Sequence, residues 1–327
     1  MGSGKHAIIA TLFVGFLFAG CRCPPPDSDL ADTGGSSKAT TLFTETRILH
    51  SSVAGRDYTI YIALPVSYAN NPDQAYPVVY LLDADLWFAA VTEPTRLLHW
   101  EIGLPELMIV GIGYGTSWED VGEFMRLRTI DLTPTSMEEN PGSGGAKTFL
   151  TFIQDELFPY INSNFRVNPE DRTIAGLSDG ALFCLYTLFN APETFGRYIA
   201  VSPHLSWDER VIFQIENDYA EHNDSLSAKL FLAVGGLDRA FASDLLEFHK
   251  QVEGRNLNGL EMTAVVLEQE THLTVFPPAF SRALRKLFRQ LWSCSFRVPQ
   301  IATKGATTTT DRYDRYQADA GDAVERV

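Results

Sequence analysis

The sequence TIAGLSDGALFCLY, residues 173–186, contains the pattern Gly-Leu-Ser-Asp-Gly at positions 176–180. By itself this G-x-S-x-G pattern is weak, because Gly and Ser are common in all proteins. Its surroundings are more specific, since RTIAG predicts a strand before the serine and ALFCLYTLF predicts a helix after it. A serine on a sharp strand-to-helix turn is typical of a nucleophile elbow, so Ser178 is the predicted nucleophile. The alternative is a serine that only caps the helix.

Tight geometry explains the two glycines of this pattern. At such a turn the serine adopts a strained backbone, and residues 176 and 180 have little room for a Cβ atom. The following helix directs the positive end of its dipole to the serine, where an oxyanion would form.

Short apolar runs alternate with helical patterns along the rest of the chain. The predicted strands are Asp57–Pro65, Tyr76–Leu82, Leu107–Tyr114, Arg172–Gly176, Arg197–Val201, Lys229–Val234 and Met262–Leu267. The first alternates apolar and polar residues like an antiparallel strand, whereas the others suit strands buried on both faces of a parallel sheet. Further helices are predicted at Lys147–Phe165, Ser243–Gly254 and Pro278–Leu291. The sequence therefore predicts an α/β fold with a mostly parallel, doubly wound sheet flanked by helices.

A serine nucleophile needs a base, and the base needs a carboxylate that orients it. In α/β-hydrolases the order along the chain is Ser, then Asp or Glu, then His. His272 follows the last predicted strand and is the predicted base; its alternative is a structural loop histidine. Asp238 follows the strand before it and is the predicted acid, or else a residue that caps the loop. Asp244 and Glu247 in the next helix remain open as the acid.

The oxyanion hole is expected to use backbone N–H groups, which are preorganised and have no proton to lose. One donor is Asp179, directly after the nucleophile, and the second is Asp85 or Ala84 in the loop after YPVVYLL. We expect the carboxylates of Asp179 and Asp85 to point away from the anion or to hydrogen-bond within their loops. His204 follows the strand RYIAV and is predicted to form part of the pocket wall. The remaining histidines, at positions 50, 99, 222 and 249, are expected on the surface.

Both ends of the chain differ in composition from its body. Residues 1–20 have a basic start and a short apolar run, which is typical of an export signal. The FAGC sequence that ends at Cys21 resembles a bacterial lipobox, so Cys21 is the predicted lipidation site; the alternative is simple cleavage and secretion. Residues 21–40 are predicted to be a flexible tether, 41–295 the folded domain and 296–327 a disordered tail.

Charge and cysteine content narrow the classes of partner. The chain has 26 Lys and Arg against 41 Asp and Glu, a net charge of −15. Nucleic-acid binding needs a basic surface, so no nucleic-acid partner is expected. No spacing indicates a metal site, and no cofactor is expected. Cys184 is predicted to be a small buried hydrophobe, with a disulfide to Cys294 as the alternative.

Several motifs occur in the order of one known family. YPVVYLLDAD, GIGY followed by RTIDLTPT, the segment FLTFIQDELFPYINSNFRVNPEDRTIAGLSDGALF and ETHLTVFPPAF resemble the "putative esterase" family of α/β-hydrolases. That family includes esterase-D-like enzymes, siderophore esterases and mycolyltransferases. The resemblance covers about residues 41–292, is specific for the family, and implies an α/β-hydrolase fold and serine esterase chemistry.

The chain departs from the family pattern at several positions. Leu177 and Ala181 replace a His and a Gly around the nucleophile, and neither is a catalytic group. The family's SPSLWW is SPHLSW here, with His204 in place of Ser, which indicates an altered pocket wall that includes Trp207. Arg128, in RTIDLTPT, could contact an anionic substrate or form an ion pair with a carboxylate such as Asp131.

These features together predict an exported, lipid-anchored serine esterase of the cell envelope that acts on a small-molecule ester through an acyl-enzyme. A siderophore-type ester, a feruloyl or acetyl sugar ester and a thioester all remain open as the substrate, because specificity lies in the shape of the loops. An acyltransferase of the same fold and a non-catalytic binding lipoprotein are the alternatives. Contact with a membrane is expected only through the N-terminal anchor.

Overall fold

One mixed sheet forms the centre of the computed structural model, which describes residues 41–116, 120–288 and 325–326. Its strands are β1 (Thr44–Ser51), β2 (Arg56–Ala63), β3 (Tyr76–Leu81), β4 (Met108–Gly113), β5 (Val167–Leu177), β6 (Arg197–Val201), β7 (Ser225–Gly235), β8 (Asn258–Leu267) and β9 (Glu325–Arg326). They are ordered β1-β2-β4-β3-β5-β6-β7-β8-β9. Strand β2 runs antiparallel to β1 and β4, and all other pairs are parallel. The predicted α/β-hydrolase architecture is confirmed.

Helices cover both faces of this sheet. They are α1 (Ala84–Ile102), α2 (Val121–Leu132), α3 (Ala146–Phe152), α4 (Phe158–Asn164), α5 (Asp179–Asn190), α6 (Trp207–His222), α7 (Arg239–Arg255) and α8 (Phe276–Leu287), with a π-helical turn at Ile153–Leu157 joining α3 to α4. Phe88 of α1 and Phe280 of α8 belong to the core on one face. Phe149 of α3, Phe183 of α5 and Phe248 of α7 belong to the core on the other. Two apolar layers therefore bury the parallel strands from both sides, as apolar strand sequences require.

The predicted strands are all present, with longer bounds for β5, β7 and β8 than their apolar runs indicated. Strand β1 and helices α1, α2 and α6 were not predicted. Cys184 is a free, fully buried thiol in α5, which confirms its interpretation as a small hydrophobe. The surface prediction for His249 is wrong, because this side chain is buried on the inner face of α7.

Several predictions concern residues outside the described ranges. The export signal, the tether, Cys21 and Cys294 lie there, as does most of the predicted tail. Within that tail, Glu325–Arg326 is described and pairs with the edge strand β8. No helix in the described part of the chain has the length and apolar character needed to cross a bilayer.

Candidate active site

Ser178 occupies a strained turn between β5 and α5. Its backbone angles, φ 60° and ψ −118°, lie in a region that non-glycine residues rarely adopt. Its N–H donates to the carbonyl of Val201, at the end of β6, over 3.0 Å. A Cβ atom on Gly176 would lie 2.9 Å from the Cα atom of Gly180, so the turn closes only with glycine at position 176.

The other predicted residues lie at the same edge of the sheet. The parallel strands β3, β5, β6, β7 and β8 end there, and the residues that follow them lie along one line. Asp238 follows β7 and His272 follows β8, and the Nδ1 atom of His272 is 2.6 Å from the Oδ2 atom of Asp238. Both side chains are partly exposed. The structure thus brings the predicted base and acid together.

Two glycines allow the loop that carries His272 to cross the end of β7. A Cβ atom on Gly235 would lie 2.8 Å from the carbonyl carbon of Glu270, and one on Gly236 would lie 2.7 Å from the carbonyl oxygen of Glu268. The N–H of Leu237 donates to the carbonyl of Glu270 over 3.1 Å. This close backbone packing places Asp238 beside His272.

The alternative acids have other partners. Glu247 accepts a hydrogen bond of 3.0 Å from Arg210, and Asp244 lies 3.9 Å from the same guanidinium. Both are on α7 and form an ion-pair group with Arg210 on α6. Asp238, the first residue before α7, makes no capping hydrogen bond with its side chain. Among these three carboxylates, only Asp238 contacts His272.

Asp179 is held by a buried ion-pair network. Its Oδ2 atom accepts from Arg128 Nη1 and its Oδ1 atom pairs with His204 Nδ1, each over 2.7 Å. Arg128 also donates from Nε and Nη2 to the two carboxylate oxygens of Asp83, over 3.0 and 2.9 Å, and to the carbonyl of Leu177. One guanidinium therefore joins the turn after β3 to the nucleophile turn.

The network leaves Arg128 buried, with only 5% of its surface exposed. An ion pair was one of its two predicted roles, but the predicted partner is wrong. Asp131 instead accepts a hydrogen bond from Tyr58 over 2.8 Å and lies 3.2 Å from Arg56. The Arg128 guanidinium donates to the buried carboxylates of Asp83 and Asp179. This arrangement does not support its other predicted role, contact with an anionic substrate.

Burial and charge act in opposite directions on the two carboxylates. Burial raises the pKa of Asp83 above its ordinary value, and the charge of Arg128 offsets only part of this effect. Burial also opposes ionisation of Asp179. The hydrogen bond from His204 and the charge of Arg128 outweigh that effect and hold the pKa of Asp179 below its ordinary value. The pKa values of the two carboxylates therefore shift in opposite directions, although both carboxylates contact Arg128.

Asp85 lies in the first turn of α1, which the sequence analysis treated as a loop. Its carboxylate accepts from the Tyr61 hydroxyl over 2.8 Å and from the N–H groups of Tyr114 and Gly115 over 2.6 and 3.0 Å. The side chain is thus used to fix the end of β4. Asp179 is the first residue of α5, and the first N–H groups of a helix have no partner within that helix. The N–H groups of Asp85, Ala84 and Asp179 are all of this kind.

The rings of His204 and His272 both lie near the ring of Phe241. The ring centroid of Phe241 is 4.5 Å from that of His272 and 5.9 Å from that of His204. Trp207 is buried, contacts His204 edge-on at 5.6 Å and donates to the hydroxyl of Thr135 over 3.2 Å. His204 is partly exposed, as a pocket-wall residue must be, whereas Trp207 supports it from behind.

Two residues of this site were missed by the sequence analysis. Asp83 follows β3 in the way that Asp238 follows β7, and this position at a strand end was the available signal. Phe241 gave no signal, because an aromatic residue in an amphipathic helix indicates only a core position. In the described residues, no group of three or more His, Cys, Asp or Glu side chains is arranged to hold a metal ion.

Several known proteins are similar to this chain in sequence or in fold. Residues 51–245 match the family model described as "Putative esterase". The ferri-bacillibactin esterase BesA of Bacillus subtilis is 32% identical over 77% of this chain and 92% of its own length. The siderophore triacetylfusarinine C esterase of Aspergillus fumigatus is 27% identical over 72% of this chain and 89% of its own length.

A solved structure, that of the BES protein of Bacillus cereus, is similar to this chain with a TM-score of 0.71 and 28% identity. The similarity covers 79% of this chain and 99% of the Bacillus cereus protein. Relatives named as esterases support ester hydrolysis as the reaction class. The match over most of the domain, together with the sheet order and the strained serine turn, shows that this chain belongs to the putative esterase family of α/β-hydrolases.

Proposed function

We propose that this protein is a serine esterase that hydrolyses a small-molecule carboxylic ester. The observation that carries the proposal is the 2.6 Å pair of His272 and Asp238 at the sheet edge where the strained Ser178 lies. A nucleophile, a base and a carboxylate that orients the base are the groups that acyl transfer to water requires.

In the first half-reaction, Ser178 Oγ attacks the ester carbonyl carbon and loses its proton to His272. Because Nδ1 of His272 faces Asp238, Nε2 is the atom that takes this proton. The N–H groups of Asp179 and of Asp85 or Ala84 donate to the oxyanion of the tetrahedral intermediate. His272 then returns the proton to the leaving alcohol, and the acyl group remains on Ser178.

In the second half-reaction, water gives a proton to His272 and attacks the acyl-enzyme through the same oxyanion hole. The bond between the acyl group and Ser178 breaks, and the serine regains its proton. The net reaction converts one ester and one water molecule into a carboxylic acid and an alcohol. His204, with Trp207 behind it, forms part of the wall beside the reacting atoms.

Two of the relatives are named for siderophore esters, and we propose a substrate of that type. We further propose, from the sequence of residues 1–40, that the protein is exported and anchored through a lipid on Cys21, which places the esterase in the cell envelope. The membrane then contacts the protein through this anchor, and the substrate is a soluble small molecule.

The test is covalent labelling of the full chain with a fluorophosphonate, combined with hydrolysis of p-nitrophenyl acetate and a panel of siderophore lactones. We expect labelling and hydrolysis that disappear in Ser178→Ala and weaken strongly in His272→Ala. Ser225→Ala, an exposed serine at the start of β7, is the matched control and should keep both activities.

Each contrary outcome has a separate meaning. A wild-type chain that takes no label and cleaves no ester would be a binding protein and would refute the proposal. Labelling followed by transfer of the acyl group to an added alcohol in preference to water would identify an acyltransferase. Product analysis by mass spectrometry separates this outcome from hydrolysis.

A further inference from the structure

We propose that His204 is a positioning residue of the oxyanion hole, which holds the Asp179 carboxylate away from the N–H groups at the start of α5. This inference rests on the proposed esterase mechanism. It concerns a residue that stands where the family resemblance has a serine, and it assigns a purpose to the 2.7 Å contact between His204 and Asp179.

An aspartate at the first position of a helix normally competes for that helix's own N–H groups. Carboxylates are favoured there because they accept hydrogen bonds from the unpaired N–H groups and interact well with the helix dipole. Asp179 is the first residue of α5, and its own N–H is the proposed oxyanion donor. A carboxylate free to turn toward these groups would occupy the hole and repel the negative charge that develops on the substrate.

The structure shows what prevents this competition. Each carboxylate oxygen of Asp179 has its own partner, His204 for Oδ1 and Arg128 for Oδ2. The side chain is 8% exposed and cannot reorient without breaking one of these contacts. The low pKa of Asp179 agrees with two such partners.

His204 is itself fixed to the nucleophile turn. Its backbone N–H donates to the carbonyl of Ser178 over 3.2 Å, and its ring lies against Trp207 and Phe241. The histidine therefore contacts the two residues that matter most for the hole, the nucleophile through its backbone and Asp179 through its ring.

Arg128 alone would not hold the carboxylate in the same way. Its guanidinium also donates to both carboxylate oxygens of Asp83, which leaves Nη1 as the nitrogen that donates to Asp179. Without His204, Oδ1 loses its partner, and the side chain of this first residue of α5 is free to turn toward the unpaired N–H groups there. The expected consequence is competition in the transition state, which lowers kcat, with little effect on substrate binding.

The test compares three variants of His204 in the full chain, with p-nitrophenyl acetate as the substrate. His204→Ala removes the ring and its donor, whereas His204→Leu keeps apolar bulk between Trp207 and Phe241 without a donor. His204→Asn places an amide N–H near the position of Nδ1 and so retains the contact with Asp179. His222→Ala, an exposed histidine at the end of α6, is the control for loss of an imidazole.

We expect kcat to fall about tenfold or more in the Ala and Leu variants, since weakening an oxyanion hole costs factors of this order. The Asn variant should stay within about threefold of wild type. KM should change little in all three variants. Equal activities of the Asn and Ala variants, or a change confined to KM, would show that His204 only shapes the pocket.

A double-mutant cycle between His204 and Asp179 gives a second, independent test of this inference. In an Asp179→Ala background, the carboxylate that would compete for the N–H groups at the start of α5 is absent. The charges of Arg128 and Asp83 still balance each other. His204→Ala should then lower kcat by less than about twofold, because coupled residues are not additive. An equal cost in both backgrounds would overturn the inference while leaving the esterase proposal intact. A wild-type chain without any esterase activity would overturn both.

Discussion

At the scale of single residues, the position of His272 decides which carboxylate contacts it. Asp238 lies 2.6 Å from His272, while Asp244 and Glu247 face Arg210 across the α6–α7 contact. Three acidic residues within ten positions therefore have different partners, a histidine for the first and an arginine for the other two. The difference comes from where the backbone turns at the end of β7, and spacing along the sequence does not show it.

Asp238→Asn should lower kcat about 100-fold or more, because an amide cannot stabilise the imidazolium that forms on His272. Asp244→Asn and Glu247→Gln serve as controls and should keep kcat within about twofold, since their partner is Arg210. Hydrolysis of p-nitrophenyl acetate under saturating conditions measures all three. Equal losses in the three variants would contradict the assignment of Asp238.

Asp131 is another carboxylate whose properties depend on its position, because it is buried. It lies 3% exposed on α2, and burial raises its pKa to about 6 although Arg56 and Tyr58 partly offset this effect. A group with a raised pKa binds its proton more tightly in the folded state. Its stabilising contribution is complete below the ordinary value of 3.8 and is lost as the pH rises through 6.

The difference in unfolding free energy between wild type and Asp131→Asn should therefore shift by up to about 3 kcal/mol in favour of the variant between pH 4 and pH 7. Urea denaturation at several pH values measures this difference, in which most other titrating groups cancel. Asp73→Asn, at an exposed position between β2 and β3, controls for replacing a carboxylate by an amide. A pH-independent difference for Asp131→Asn would refute the prediction.

At the scale of secondary-structure elements, the end of β7 and the loop after β8 behave as one unit. Gly235 and Gly236 let two backbone segments approach more closely than any Cβ atom allows. Since the loop carries His272 and the strand end carries Asp238, packing of the main chain sets the geometry of the pair. The proposed catalytic geometry of these two side chains therefore depends on Gly235 and Gly236, which have no side chain.

Gly235→Ala should destabilise the fold by about 1–3 kcal/mol and lower kcat, because the new methyl group pushes the His272 loop away. Gly254→Ala is the matched control in α7, where a Cβ atom meets nothing within 4 Å. That control should leave kcat unchanged and stabilise the protein by about 0.5–1 kcal/mol. Urea denaturation and ester hydrolysis measure the two effects, and equal behaviour of both variants would contradict the packing argument.

The elements that were predicted from the sequence and those that were not differ in the polarity of the side chains that they bury. The parallel strands β3 to β8 are continuous apolar runs and were predicted, as were α5, α7 and α8, whereas the polar strand β9 was not. The three helices that escaped prediction bury polar side chains: Thr92 and Thr95 in α1, Arg128 and Asp131 in α2, and Glu216 in α6. The threonine hydroxyls donate to carbonyls one turn earlier in α1, whereas the charged groups of α2 and α6 pair with residues of other elements. Such polar positions interrupt the apolar stripe on which prediction relies.

The same reason separates the predictable part of the site from the rest. Ser178, Asp238 and His272 each follow an apolar strand, so their shared edge could be inferred from strand order alone. The partners of Asp179 could not be inferred in this way. Arg128 reaches it from α2 and His204 from the loop after β6, and only the folded chain shows which charges meet.

At the scale of the whole molecule, the domain carries a strong negative charge and no membrane-spanning helix in its described part. The proposed contact with an envelope membrane is made by a lipid on Cys21, a residue outside the described domain. The residues of the proposed active site, in contrast, all lie within residues 41–288. Anchor and enzyme should be separable by a single substitution.

Cys21→Ser should move the protein from the detergent phase to the aqueous phase in a detergent-partition experiment and abolish incorporation of labelled palmitate. Esterase activity per molecule should stay the same, because the site lies wholly within residues 41–288. Cys23→Ser, two residues further on, is the matched control and should remain in the detergent phase. Aqueous partition of the wild type would instead indicate simple secretion.

The order of strands in the sheet also has a consequence for how the chain folds. From β5 to β8 each strand pairs with the next one along the chain, so this half forms from local contacts. By contrast, β3 must pair with β5 across β4, α2, α3 and α4, which makes this contact slow to form. We therefore expect β5, the strand that leads into Ser178, to join two parts of the sheet during folding. The part from β5 to β8 forms early, and the part that contains β3 pairs with β5 later.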